Sequence, residues 1–161
     1  MPTPPPVFSQ TKDDNCTLAC LRMILAYDGI EVAETELEVQ ANKEPGGVHI
    51  GNLAELAGSY GFTAEIAELD LDSICNLLAR GIFSIVYLNR IYFEKKFPMD
   101  YRYALANAQY HAVVPTRISP TFVTFNDPLP PGKRRRASRR KFEAAHAFVS
   151  RLCVVYRTSP R

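Results

Sequence analysis

The stretch QTKDDNCTLACLRMILAYDG, residues 10–29, sets the fold prediction because a long apolar helix pattern follows a polar, acidic cluster. Asp14 or Asn15 can cap the start of this helix, and Gly29 can end it. The apolar positions cover most of the helix surface: Leu18, Ala19, Leu21, Met23, Ile24, Leu25 and Ala26. A helix that is apolar on most sides is expected at the centre of its domain.

Two cysteines stand at the start of this helix, and the pattern gives them different environments. Cys16 falls in the first turn, where unpaired backbone N–H groups and the helix dipole favour a thiolate. Such a position can lower a cysteine pKa from ~8.5 to between ~3.5 and ~7.5. Cys20, Cys75 and Cys153 lie in apolar contexts and are expected in the core. For Cys16 taken alone, an unreactive buried helix cysteine is an equally good interpretation.

The rest of the chain predicts helices first and antiparallel strands second, which is an α+β fold. Further helices are predicted in AETELEVQA (33–41), GNLAELAGSYG (51–61), DLDSICNLLARG (70–81) and SRRKFEAAHAFV (138–149), the last capped by Ser138. Strands are predicted in FTAEIAEL (62–69), IFSIVYL (82–88), HAVVPTRI (111–118), TFVTFN (121–126) and LCVVYR (152–157). A long connection separates the strands between Asn89 and Tyr110.

Length and composition indicate one domain. The chain has 161 residues, enough for a substantial core, and its longest apolar run, GIFSIVYL (81–88), is too short to span a membrane. The domain is expected over residues 8–157, after a proline-rich arm (1–7) and before a tail (158–161). The start has no signal-peptide pattern, so the four cysteines are expected to be reduced thiols in a cytoplasmic protein.

A basic run between Lys133 and Lys141, KRRRASRRK, has seven basic residues among nine. The simplest interpretation is a solvated loop followed by a helix start. The run is also a candidate site for an acidic partner or substrate segment, or for the chain's own acidic region between Asp28 and Asp72. No aromatic residues interleave the basic ones, so the run is not expected to bind nucleic acid.

The segment HAVVPTRISPTFVTFND, residues 111–127, predicts a hairpin whose turn centres near Ser119. In that register His111 and Asp127 are opposite each other on one face, with Cβ atoms about 4.5–5.5 Å apart. A carboxylate there can orient the imidazole and leave its second nitrogen free to act as a base. A surface His–Asp pair without a function is the alternative.

Cysteine, histidine and aspartate can together supply a nucleophile, a general base and an orienting group. The oxyanion that forms when Cys16 attacks a carbonyl needs donors, for which the backbone N–H of Cys16 and the amide of Gln10 are candidates. The chain has no CxxC or HxxxH pair, so no metal and no cofactor are predicted.

The spacing Q-x5-C-x2-A-C-L-x-M-I-L-x-Y-x-G, with HAVV and then NDP fifteen residues after the histidine, resembles the bacteriocin-processing cysteine peptidases. These are papain-like domains that remove double-glycine leader peptides, and the resemblance spans residues 8–156. It implies a papain-like fold whose N-terminal helical half carries the cysteine and whose C-terminal antiparallel sheet carries the histidine and aspartate. It further implies that Cys16 is the nucleophile, His111 the general base and then acid, Asp127 the orienting group and Gln10 an oxyanion donor.

The resulting expectation is a stand-alone cysteine endopeptidase that cleaves a peptide or protein substrate in the cytoplasm. Two features depart from the family pattern: many relatives have glycine directly after the nucleophile where this chain has Thr17, and the connection between Asn89 and Tyr110 is long. An acyl transferase or deamidase with the same residues, and a binding module with a relic site, are the alternatives.

Overall fold

A computed structural model of the chain describes residues 2–94 and 109–159. The helices in these residues are α1 Cys16–Tyr27, α2 Glu34–Gln40, α3 Ile50–Ser59, α4 Leu71–Ala79, α5 Arg90–Glu94 and α6 Arg139–Ala147. The strands are β1 Phe62–Glu68, β2 Ser84–Asn89, β3 Tyr110–Ile118, β4 Phe122–Asp127, β5 Lys133–Ser138 and β6 Leu152–Thr158. Most of the predicted connection between Asn89 and Tyr110 lies outside the described residues.

The six strands form one sheet in the order β1-β6-β2-β3-β4-β5, and every neighbouring pair is antiparallel. Helix α1 packs against β2 and β3, while α6 packs against β2, β4 and β5. The first strand in the chain sits at one edge, and it pairs with the last strand. This mixture of helices and one antiparallel sheet confirms the predicted α+β class.

Helix α1 has the central position that its apolar pattern predicts, with Leu18, Leu21 and Leu25 fully buried. Its start is held differently from the prediction. Asn15 occupies the N-cap position, but its side chain accepts no capping hydrogen bond. Its amide nitrogen instead donates to Glu34 and to Glu38 of α2. The N-terminus of α1, which carries Cys16, is therefore tied to α2.

The interpretation of the basic run as a solvated loop is wrong over its first six residues, which form β5. These residues pair with β4 over their whole length and alternate between exposed and half-buried side chains. Charged residues tolerate an edge strand because their stems pack while their heads reach solvent or ion partners. Ser138 caps α6 as predicted, accepting a hydrogen bond from the Lys141 backbone.

Asn126 of β4 and Arg134 of β5 hold the N-terminal segment at the β5 edge of the sheet. The fully buried Asn126 donates its side-chain amide to the Pro5 carbonyl at 2.9 Å and to the Pro6 carbonyl at 3.3 Å. Arg134 donates to Pro5 at 3.1 Å and to the Asn126 side-chain oxygen at 2.9 Å. Part of the basic run therefore anchors the proline-rich start.

None of the helices in residues 2–94 and 109–159 combines the length and the hydropathy that crossing a membrane requires.

Candidate active site

The hairpin formed by β3 and β4 brings His111 to Asp127 in a register that differs from the predicted one. Val114 pairs with Asn126, and a β-bulge follows between Pro115 and Arg117. Continued along the strands, this register displaces Asp127 by two residues from the position opposite His111. Side chains alternate with a period of two, so an even displacement keeps both residues on one face as diagonal neighbours. The imidazole Nε2 of His111 donates to Asp127 Oδ1 at 2.8 Å.

Cys16 occupies the first position of α1 and lines the same cleft as His111, whose side chain interacts with the thiol. Because Nε2 of His111 is taken by Asp127, the other ring nitrogen is the one left for Cys16. Burial works against ionisation of the thiol. The hydrogen bond and charge of His111, with the backbone amides of Ala112 and Thr17, nevertheless bring the pKa of Cys16 below its ordinary value.

His111 is buried, which alone would lower its pKa, but two partners act in the opposite direction. The hydrogen bond to Asp127, followed by the hydrogen bond and charge of Cys16, raises the pKa of His111 to about 9. A lowered thiol pKa beside a raised imidazole pKa shifts the proton balance of the pair from the neutral form towards thiolate and imidazolium.

Both carboxylate oxygens of Asp127 accept hydrogen bonds within the protein, and the side chain is only 2% exposed. Oδ1 accepts from His111 and from the Leu129 backbone N–H at 3.0 Å, and Oδ2 accepts from Arg135 Nη1 at 2.6 Å. Burial alone would raise the pKa of Asp127. The bond and charge of His111, with the other donors, hold that pKa below its ordinary range.

Gln10 lies beside the loop that leads into α1. Its side-chain nitrogen donates to the carbonyl oxygens of Lys12 at 2.8 Å and Asp13 at 3.0 Å, while its backbone N–H donates to Pro128 at 2.7 Å. Both amide hydrogens are therefore directed at the loop. Gln10 joins this loop to the segment that follows Asp127.

The buried carboxylate of Glu34 supports the same loop, and sequence reasoning missed it. Glu34 is 3% exposed, and its Oε1 accepts from the Thr11 backbone at 2.9 Å, the Thr11 hydroxyl at 2.7 Å and the Asn15 amide at 2.6 Å. The acidic pattern of α2 predicts an exposed helix, so nothing in the sequence distinguishes Glu34 from its exposed neighbours. Its hydrogen bonds to Thr11 and Asn15 distinguish it in the structure.

A cleft of about 490 Å³ opens at Cys16 and His111. Thr17 forms part of its wall, and the Thr17 hydroxyl shares a hydrogen bond of 2.9 Å with the Tyr87 hydroxyl. Tyr110, which is 56% exposed, packs edge-on against Tyr87 with ring centroids 6.4 Å apart. The residue that departs from the family pattern therefore has a partner in the sheet and helps to shape the cleft.

The other cysteines and histidines take no part in the contact between His111 and Asp127. Cys75, which is expected in the core, is instead partly exposed. Cys20 and Cys153 are fully buried, and burial raises the pKa of each thiol, so both stay protonated. The ring nitrogens of His146 lie 2.8 Å from the backbone oxygens of Tyr87 and Leu69, an arrangement that ties α6 to the sheet.

Comparison with protein families gives one match over most of the chain. The model of the Peptidase C39 family matches residues 5–150. No curated protein sequence matches the chain.

Solved structures with the same fold cover nearly the whole chain. A putative C39-like peptidase from Bacillus anthracis is 19% identical, with a TM-score of 0.74 over 97% of this chain and 96% of its own. A double glycine motif protease from an AMS/PCAT transporter, solved in complex with the leader peptide, is 18% identical, with a TM-score of 0.72 over 96% and 92%. The peptidase domain of Streptococcus ComA, a bi-functional ABC transporter, is 17% identical, with a TM-score of 0.71 over 96% and 98%. At these identities the likeness establishes the papain-like fold of such domains.

Proposed function

Because the chain belongs to the Peptidase C39 family, we propose that it is a cysteine peptidase whose nucleophile is the thiolate of Cys16. The observation that carries the proposal is that Cys16 and His111 line one cleft, while His111 is hydrogen-bonded to Asp127. The pKa of each member is shifted in the direction that its proposed role needs: lowered for the thiol, raised for the imidazole and lowered for the carboxylate.

In the proposed reaction the Cys16 thiolate attacks the carbonyl carbon of a peptide bond and forms a carbon–sulfur bond. His111, protonated at the start, gives its proton to the leaving amine nitrogen as the carbon–nitrogen bond breaks. A water molecule then attacks the thioester, gives a proton to His111 and releases the new carboxylate together with the Cys16 thiolate. Asp127 holds the imidazole in one orientation through both steps.

The tetrahedral intermediates place a negative charge on the former carbonyl oxygen, and this oxygen needs hydrogen-bond donors. We propose the backbone N–H of Cys16 and the side-chain amide of Gln10. Gln10 has two amide hydrogens, and both donate to loop carbonyls at Lys12 and Asp13. Its role as a donor therefore requires one of those hydrogen bonds to be exchanged for a bond to the oxyanion.

The proposed substrate is a peptide or protein, and the first candidate is a leader peptide that ends in two glycines. The support is the family, and the leader peptide bound to the double glycine motif protease of the same fold. Thr17 and Tyr87 close the wall beside the nucleophile, which favours small residues next to the scissile bond. The four free cysteines fit action in a reducing compartment such as the cytoplasm.

An acidic partner for the basic run stays a prediction, and so does the expectation that the run does not bind nucleic acid. Several arginines of the run have partners within the chain, which reduces the charge that they offer to other molecules. Arg134 binds Pro5, Arg136 stacks on Phe122 with its guanidinium carbon 3.5 Å from the ring centroid, and Arg139 pairs with Asp72 at 2.7 Å.

The test is turnover of a peptide panel followed by mass spectrometry. The panel contains a leader peptide with two glycines, the same peptide with bulky residues in their place, and a glutamine peptide offered with an added amine. Cleavage after the glycines supports the proposal, whereas deamidation or amine incorporation would assign the same residues to acyl transfer or deamidation.

Cys16→Ala is expected to abolish turnover, and Cys75→Ala, which alters the other partly exposed thiol, is the matched control. Turnover that survives in Cys16→Ala would contradict the nucleophile assignment.

A further inference from the structure

One arginine of the basic run reaches the centre of the candidate active site. Arg135 Nη1 donates to Asp127 Oδ2 at 2.6 Å, the oxygen that does not face His111. The β4–β5 register pairs Phe125 with Arg135, which places Arg135 on the same face of the sheet as Asp127. The contact is therefore built into the strand pairing.

We propose that Arg135 is a positioning residue that fixes the carboxylate of Asp127 so that Oδ1 stays directed at His111. The inference rests on the proposed function, since it concerns how the His111–Asp127 pair is held for catalysis. It extends the proposed chain of charges from the Cys16 thiolate to the Arg135 guanidinium.

The guanidinium of Arg135 is itself held on several sides. Its Nη1 also donates to Glu94 Oε1 of α5 at 3.0 Å, and its central carbon lies 5.4 Å from the Phe93 ring centroid and 5.8 Å from that of Phe125. Phe93 and Phe125 belong to the buried core, so they give the guanidinium rigid neighbours. An arginine held in this way presents a fixed donor to a carboxylate.

Asp127 depends on this donor because its side chain is only 2% exposed. Water cannot readily replace a lost partner there, and a buried carboxylate oxygen without a hydrogen bond is costly. Without Arg135, the carboxylate can rotate or take up a proton, and either change weakens its hold on the imidazolium of His111. An imidazolium that Asp127 holds less firmly in turn stabilises the Cys16 thiolate less.

The charged and titratable groups around Asp127 come from five elements. They are Cys16 and Cys20 of α1, His111 of β3, Arg135 and the cross-strand partner Lys133 of β5, Glu94 of α5 and, over the Phe93 ring at 4.8 Å, Lys141 of α6. Among the side chains in residues 2–94 and 109–159, only those of His111 and Arg135 are hydrogen-bonded to the Asp127 carboxylate. Within the described residues, these two cations are therefore the ones that set its orientation.

The test follows the pH dependence of Cys16 alkylation by iodoacetamide in the full-length chain, read by mass spectrometry of the Cys16 peptide. This readout needs no substrate, and it reports the midpoint at which the thiolate forms. Arg135→Met and Arg135→Gln both remove the charge. If the Arg135→Met variant fails to fold, the polar Arg135→Gln variant still tests the inference. Arg135→Lys restores the charge, and Arg136→Met, on the opposite face of β5, is the matched control.

Both charge-removing variants are expected to raise the midpoint by about one pH unit, and Arg135→Lys is expected to recover at least half of that shift. A purely structural role would lower stability without moving the midpoint. The inference is overturned if the charge-removing variants shift the midpoint no more than Arg136→Met does, or if Arg135→Lys recovers nothing. An ordinary cysteine midpoint in the unmodified protein would instead overturn the proposed function.

Discussion

At the scale of single residues, the properties of Cys16 come from its tertiary partners more than from its place at a helix start. The helix N-terminus predicts a lowered pKa, but Cys16 is also half-buried, and burial has the opposite effect. The hydrogen bond and charge of His111, with the backbone amides of Ala112 and Thr17, outweigh burial and bring the pKa of Cys16 below its ordinary value. The position in the sequence therefore identifies the candidate, and the neighbours supply the reactivity.

His111→Ala is expected to move the alkylation midpoint of Cys16 above that of an ordinary cysteine. The substitution removes the hydrogen bond and positive charge that lower the pKa of Cys16, while the burial that raises it stays in place. The measurement is the iodoacetamide rate against pH, resolved at the Cys16 peptide. His49→Ala, which removes an exposed imidazole from the start of α3, serves as the control. A midpoint unchanged by His111→Ala would contradict the ion pair.

Thr17→Val is expected to lower the free energy of unfolding by about 1–2 kcal/mol, because it leaves the buried Tyr87 hydroxyl without its partner. Valine keeps the shape of threonine, so the loss isolates the hydrogen bond. The double variant with Tyr87→Phe is expected to lose less than the sum of the two single variants. Urea unfolding measures all four proteins of this cycle, and strict additivity would show that the hydroxyl pair contributes nothing.

At the scale of elements, the strand pattern predicts the β3–β4 hairpin but not its register. The bulge between Pro115 and Arg117 and a turn placed later than Ser119 change the pairing by two residues. Since the change is even, the predicted meeting of His111 and Asp127 survives it. The strand β5 is missed because its residues are mostly basic, and strand propensity is weakest as a guide where ion partners replace apolar packing.

Asn126→Ala is expected to lower the free energy of unfolding by about 2–3 kcal/mol and to expose the N-terminal segment to proteases. Asn126 is fully buried, and its loss leaves the Pro5 carbonyl and Arg134 with fewer partners. Urea unfolding and limited proteolysis measure the two effects. Asn76→Ala, at an exposed position of α4, is the matched control. Equal stability of the two variants would show that Asn126 does not anchor the segment.

At the scale of the whole molecule, the sheet order brings distant parts of the chain to one site. Cys16 arrives on α1, His111 on β3, Asp127 on β4 and Arg135 on β5. The order of β3, β4 and β5 in the sheet follows their order in the chain, so successive hairpins carry the three residues side by side. Helix α1 completes the site by packing across β2 and β3.

Acid is expected to destabilise the molecule partly through Asp127. Its pKa is lowered in the folded state, so its contribution is present above the pKa of the unfolded chain and is lost as pH falls. Asp127→Asn is therefore expected to be less stable than the unmodified protein near neutral pH and to approach it as pH falls below the ordinary pKa of an aspartate, about 3.9.

Urea unfolding at several pH values tests this expectation. Asp72→Asn is expected to follow the unmodified protein, because the Asp72 side chain is 81% exposed in its ion pair with Arg139. A constant difference between Asp127→Asn and the unmodified protein at every pH would contradict the expectation.

The sequence by itself determined the central helix, most strands, the α+β class and the candidates Cys16, His111 and Asp127, because local periodicity and motif spacing are written in neighbouring residues. Only the tertiary structure decided the strand register, the strand made by the basic run, the hydrogen bonds that hold Gln10 on its loop, and the partners Glu34 and Arg135. These depend on contacts between residues far apart in the chain. A buried carboxylate or an ion-paired arginine is indistinguishable in sequence from a solvated one until its partner is in place.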